Sequence, residues 1–195
     1  MAQSTPHHVP LDTFLNELQK SATAQPTADF VGDTLRDFRP SVESLQSWIG
    51  FHPDHYARQR LFRNEKYEVL LLCWDNGQTT PIHDHDGQAG WITVLDGNLG
   101  IQEYRRLGGP ADLREFESLE ETPEGSVPLS RKSQFRVQAG TAIAEAEPPE
   151  AIHRVGPDSG RALSLHIYSR PFDSFVIFDE DRKCARRFCV TPDSN

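Results

Sequence analysis

Apolar residues recur at Leu11, Phe14, Leu15 and Leu18, the spacing of one helix face, which predicts a helix over 11–22. A second helix is predicted over 41–51. Ser41 can cap it, Glu43 favours its first turn, and Leu45, Trp48 and Ile49 form its apolar face. From residue 66 the period changes. KYEVLLLCWD (66–75) is a continuous apolar run of strand length, closed by a turn at Asn76-Gly77. AGWITVLDG reads as the next strand, and Asp96-Gly97-Asn98 as a hairpin turn into NLGIQEYRRL. After a turn at 108–110, the acidic segment 111–125 is expected to be a surface excursion. RKSQFRVQAGTAIAEA, EAIHRVGP, RALSLHIYS, SFVIFDED and CARRFCV then read as further short strands. Helices followed by many evenly spaced short strands predict a mostly β chain: a β-barrel or jelly roll behind an N-terminal helical cap.

The chain has 195 residues, which fits one domain over 1–195, with 1–10 loose and 11–55 forming the cap. A net charge of −9 argues against nucleic acid or an anionic membrane surface as the main partner. No apolar run approaches the roughly 18 residues of a membrane span. The first residues, MAQSTPHHVPLDTF, lack the basic and apolar regions of a secretory signal. The three cysteines, Cys73, Cys184 and Cys189, show no CxxC spacing. A reducing cytoplasm is therefore the simplest expectation, with Cys73 a core residue.

His83 and His85, in TTPIHDHDG, occupy alternate positions ahead of a strand, so an extended chain turns both imidazoles to one side. Two such rings make half of a metal site, and His153 in PPEAIHRVGP is the best third ligand. A lone buried histidine is an ordinary core residue; a same-face pair is harder to explain that way. His52 and His55 read as solvated loop residues, and His7 and His8 as tail residues. Three imidazoles suit iron(II), zinc or copper, and spacing does not choose among them. Such a neutral set leaves a divalent ion its full charge, favouring an anionic ligand such as a thiolate. In SLHIYS, Ser164, His166 and Tyr168 alternate on one face and can form a hydrogen-bonded relay toward the metal.

Gly77, His83-Asp84-His85 and Gly97 together resemble the first motif of the cupin barrel, with His153 where the second motif supplies its histidine. The usual cupin glutamate is absent, and Gly90 stands near its place. That absence, with Cys73-Trp74, HRV and SLHIYS, makes the chain from about Tyr56 to Phe178 similar to the cysteine dioxygenase family of thiol dioxygenases. The resemblance implies one iron(II) per protomer held by His83, His85 and His153. It also implies O2-dependent oxidation of L-cysteine to its sulfinic acid. YARQRLFR resembles the segment that supplies a guanidinium for the substrate carboxylate, which assigns that role to Arg58 and leaves Tyr168 to orient bound substrate or oxygen. Relatives that prefer 3-mercaptopropionate carry glutamine at the corresponding place. Gln59 is adjacent, so that thiol is the alternative substrate, and a non-catalytic metal-binding cupin is the alternative class.

Two departures from the family pattern carry expectations. Gly90 replaces the cysteine that animal members link to their active-site tyrosine, so no thioether to Tyr168 is expected there. Arg170 replaces a family proline, so a cis peptide bond is not expected, and Arg170 becomes a second candidate cation at the pocket edge.

Overall fold

The computed structural model describes residues 6–24, 30–116, 118–119, 126–140, 144–146 and 151–190. Helices α1 (Leu11–Ala24) and α2 (Phe30–Asp37) precede all but the first of the strands. Those strands are β1 (His7–Val9), β2 (Phe38–Pro40), β3 (Ala57–Arg63), β4 (Glu68–Trp74), β5 (Ile82–His83), β6 (Ala89–Asp96) and β7 (Asn98–Arg106). They continue with β8 (Ser118–Leu119), β9 (Leu129–Gln138), β10 (Ala144–Ala146), β11 (Ile152–Pro157), β12 (Ala162–Ser169), β13 (Ser174–Asp179) and β14 (Cys184–Cys189). One sheet has the order β10-β6-β12-β4-β3, and the other β8-β14-β13-β5-β11-β7-β9. This is the expected mostly β barrel architecture with helices ahead of it. No helix among the described residues is long and apolar enough to cross a membrane.

The continuous apolar run at β4 is explained by burial on both faces. Val69 packs with Phe14, Leu18, Phe30, Val31 and Leu35 of the helices, and Leu71 and Cys73 pack with Leu11 and Leu45. Leu70, Leu72 and Trp74 face the other way, into the barrel with Ile92, Val94 and Val155. The hairpin at 96–98 needs its glycine. Gly97 has φ +72°, and a Cβ there would lie 2.4 Å from the Arg161 carbonyl oxygen.

Three local expectations are corrected. Ser41 does cap a helix, but only a 3-10 turn over Val42–Leu45 forms; Leu45 is buried, while Trp48 is exposed and gives the turn no apolar face to extend. The second true helix is α2, whose Phe30, Val31, Thr34 and Leu35 are all buried against the barrel. Within the N-terminal stretch expected to be loose, His7–Val9 pairs in parallel with Phe38–Pro40. In the acidic segment, residues 117 and 120–125 lie outside the described residues.

Strand β3 also departs from simple alternation. Arg58 is opposite Leu72 and Arg60 opposite Leu70, but Arg63 is opposite Glu68, because the register shifts between Arg60 and Phe62. Leu61 is the extra residue of a β-bulge. The bulge returns Arg63 to the face that carries Arg58 and Arg60.

Candidate metal centre and its cavity

His83 and His153 lie directly opposite each other on the antiparallel strands β5 and β11. His85 follows on the same side, as alternation requires. The ligand-capable nitrogens of His83, His85 and His153 all lie within 4.8 Å of one another, and all three residues are buried. Nδ1 of His83 is 3.1 Å from the Pro81 carbonyl oxygen. A carbonyl can only accept, so Nδ1 carries the proton and Nε2 keeps its lone pair. Thr80 anchors this segment to β11: its hydroxyl accepts from the Val155 N–H at 3.0 Å, and its own N–H donates to the Val155 carbonyl at 2.8 Å.

Nε2 of His85 faces Nε2 of His153 at 3.1 Å. Two lone pairs at that separation repel unless a proton or a cation lies between them. Burial opposes the proton: it pushes His83 down to about 4, and His85 and His153 well below the ordinary histidine value. A metal ion fits the same spacing. Two nitrogens bound about 2.1 Å from one ion, at right-angled to tetrahedral geometry, are themselves roughly 3–3.4 Å apart. The donor set is therefore three neutral imidazoles, a set suited to a divalent transition metal.

Near the place of the missing glutamate the fit is tight. Gly90 is opposite Tyr168 on β12. A Cβ on Gly90 would lie 3.1 Å from Cε1 and Nδ1 of His85 and 3.2 Å from Cδ1 of Tyr168. The backbone thus runs close behind the His85 ring, and the space beside Tyr168 holds no sulfur.

Asp84, between the two histidines, points away from them by alternation. Its Oδ1 accepts from the Val176 N–H at 2.8 Å and the Asp86 N–H at 3.2 Å, while its own N–H donates to the Val176 carbonyl. Burial raises its pKa, opposed by those backbone donors. Asp84 therefore ties the HDH segment to β13, a role that the sequence reading missed. Asp84→Ala is expected to lower stability by about 1.5–3 kcal/mol, since it strands the Val176 donor. Thermal melts should show a drop of roughly 4–10 °C for a chain of this size, with a smaller drop for Asp84→Asn.

Ser164, His166 and Tyr168 share one face of β12, as expected. The Trp74 indole N–H donates to Ser164 Oγ at 2.8 Å, and Ser164 Oγ lies 2.9 Å from His166 Nε2. Indole can only donate, so Ser164 Oγ accepts from Trp74; toward His166 Nε2 the serine can either donate its own hydrogen or accept with its second lone pair. The next link of the expected relay is open: the His166 and Tyr168 rings are 6.5 Å apart, with no hydrogen bond between them. Burial lowers His166 to about 3 and raises the Tyr168 phenol, so both are neutral near pH 7.

A histidine whose folded value lies below its unfolded value costs stability as the unfolded state takes up its proton. For His166 this contribution is complete above pH 6.5 and is lost as pH falls from 6.5 toward about 3. Metal-free protein with His166→Gln is expected to show a shallower acid loss between pH 6 and 5. The difference should be about 1.4 kcal/mol per pH unit in urea denaturation.

A cavity of about 560 Å3 opens beside His83 and His153, walled by Leu70, Leu72, Val155, Phe172 and Phe175. Arg58, His166 and Tyr168 border it. Gln59 borders it too, but its cross-strand partner is Leu71, of the outward-packed cluster. Unexpectedly, His52 and His55 stack at 3.9 Å between ring centres and also border the cavity. Pro53 hid this by breaking their helical spacing.

Arg170 does not border the cavity, and the peptide bond joining Ser169 to Arg170 is cis. Both findings correct the expectation drawn from the missing proline. Tertiary contacts set the conformation instead: Ser169 pairs with Ala89, and the Arg170 N–H donates to Gln88 Oε1 at 3.0 Å.

The family model described as cysteine dioxygenase type I matches residues 2–181. Human cysteine dioxygenase type 1 is 30% identical over 163 residues, covering 77% of this chain and 74% of that protein. Human 2-aminoethanethiol dioxygenase is 24% identical over 136 residues, covering 64% of this chain and 48% of that protein. Among solved structures, a cupin superfamily protein from Desulfitobacterium hafniense is similar with a TM-score of 0.46 and 15% identity. That likeness covers 68% of this chain and 92% of the other.

Proposed function

Because the chain belongs to the cysteine dioxygenase family, we propose that it is an iron(II) thiol dioxygenase that oxidises L-cysteine with O2 to cysteine sulfinic acid. The observation that carries this reading is the buried set of three neutral imidazoles beside a cavity bordered by a guanidinium and a phenol. His83, His85 and His153 would hold the metal. Bound iron(II) would supply a centre at which a thiolate and O2 react. The balance is simple: a thiolate and one O2 give a sulfinate, both oxygen atoms ending on sulfur, with no external reductant.

The chain's own residues do the rest. Arg58 offers a planar fork of donors, the geometry that reads a carboxylate. The neutral Tyr168 hydroxyl can donate a hydrogen bond to substrate or oxygen in the cavity. Ser164 holds the His166 ring in place through Nε2. Leu70, Leu72, Phe172 and Phe175 exclude water around the sulfur. Arg58 also argues against 2-aminoethanethiol, since a guanidinium repels an ammonium and finds no carboxylate there.

The test is O2 uptake by iron-reconstituted protein against L-cysteine, 3-mercaptopropionate and 2-aminoethanethiol, with the product identified by mass spectrometry. One O2 consumed per cysteine sulfinate formed is the expected result. Turnover of none of the three thiols would make the chain a binding protein, and preference for 3-mercaptopropionate would reassign the substrate.

A further inference from the structure

Three guanidiniums converge on one buried carboxylate. Glu68 is 1% exposed. Its oxygens lie 3.3 Å from Arg58 Nη2, 3.0 Å from Arg60 Nε and 3.4 Å from Arg63 Nη1. Arg63 has a second carboxylate, Asp173, at 2.7 Å. A carboxylate taken this far from water is costly unless it is paired, so Glu68 is held in place by its cations as firmly as it holds them.

The charges in this cluster do not cancel. Three cations meet two carboxylates, which leaves one positive charge over. Arg63 is engaged by both acids, and Arg60 does not border the cavity, whereas Arg58 does. Arg58 touches Glu68 through one of its nitrogens, and a guanidinium carries five N–H donors. The surplus charge and the spare donors thus reside on the same side chain, at the cavity wall.

We propose that Glu68 is a positioning residue. It holds the Arg58 guanidinium by Nη2 so that the remaining donors face the cavity, and it thereby makes the site selective for thiols that carry a carboxylate. This inference rests on the reading of Arg58 as the carboxylate clamp. The physical gain is preorganisation. A free arginine side chain gives up rotamer entropy when it is fixed, and Glu68 fixes it before substrate arrives. The register of the sheet puts the device in place. Glu68 is opposite Arg63 on one side and Tyr168 on the other, and Tyr168 is in turn opposite Gly90. One row across three strand pairs therefore joins the arginine cluster to the space behind His85.

The experiment uses iron-loaded protein and two readouts: anaerobic equilibrium binding of L-cysteine, and steady-state O2 uptake. Glu68→Gln keeps the shape and removes the charge. It is expected to raise both Kd and KM for L-cysteine by about tenfold, the loss of one well-made charged contact. Turnover at saturation should stay within about twofold. Binding of 2-aminoethanethiol, which has no carboxylate, should change by less than about twofold. Combining Glu68→Gln with Arg58→Gln should cost no more than Arg58→Gln alone, because both remove one interaction.

Should Glu68→Gln fail to fold, Glu68→Asp, which keeps the charge but withdraws it by one methylene, is expected to raise Kd for L-cysteine by a smaller factor. Wild-type cysteine binding in the folded Glu68 variant, additive losses in the double variant, or an equal loss with 2-aminoethanethiol would overturn the proposal. Failure of the clamp reading itself looks different: Arg58→Gln alone would bind L-cysteine as tightly as the wild type.

Discussion

Alanine at any one of His83, His85 or His153 is expected to empty the purified protein of iron and to reduce thiol oxidation by more than about a hundredfold, since even the outer partners of metal ligands cost 10–100-fold when removed. Each ring supplies one of three lone pairs, and among the described residues the ligand group is His83, His85 and His153, with no carboxylate in it. The two strand-borne ligands are cross-strand partners, so loss of either should leave the fold intact and the other ring still facing His85. Iron content by atomic absorption and O2 uptake by electrode check the outcome. A His153→Ala protein that kept full iron and full turnover would break the triad and move attention to His166. That residue is already committed through Nε2 to Ser164, which makes it the poorer ligand.

The second large effect is expected at Arg58. L-Cysteine and 3-mercaptopropionate share a thiol and a carboxylate, but only cysteine has an amine that can chelate beside its sulfur. Chelation fixes the direction of the carboxylate, which suits a rigid fork held at one end by Glu68. Arg58→Gln should therefore lower kcat/KM for cysteine by at least about tenfold, the worth of a charged hydrogen bond of roughly 1.5–3 kcal/mol. The loss should be smaller, or reversed, for 3-mercaptopropionate. Arg60→Gln should do much less, because Arg60 does not border the cavity. Competition kinetics with both thiols in one reaction measures the ratio directly. Unchanged cysteine activity in Arg58→Gln would sink the assignment. Arg170 is exposed and does not border the cavity, so it is poorly placed to substitute.

What could be read from the chain follows from what local periodicity reports. Alternation placed His83 with His85, and Ser164 with His166 and Tyr168, because a strand face is a local property. The pairing of His83 with His153, and of Gly90 with Tyr168, depends on strand register between distant segments. There local pattern offers His153 only as the best candidate third ligand, on a short strand near a turn after two prolines, and it is the resemblance to a family that links Gly90 with Tyr168. Helix α2 is easy to overlook because it is only 8 residues long, holds a glycine and has the polar Thr34 among its buried positions, although Phe30, Val31, Thr34 and Leu35 do keep helical spacing. The cis bond before Arg170 was misjudged because residue type is a weak guide where contacts at Ala89 and Gln88 set the backbone. Glu68 was invisible for a plainer reason. An acidic residue at the start of an apolar run reads as a strand end, and nothing local says that three arginines will cover it.

The bulge at Leu61 has a consequence for solubility. Strand β3 is the outermost strand of its sheet among the described residues, and an exposed strand edge offers unpaired backbone groups to a strand from another molecule. A bulge interrupts the flat run of those groups, and arginines along the strand keep like-charged copies apart. Arg58, the one of the three arginines that borders the cavity, thus also helps to keep the sheet from growing by one strand. Neutralising Arg58, Arg60 and Arg63 together would remove the charge and leave only the bulge, so that a loss of substrate selectivity would arrive with self-association.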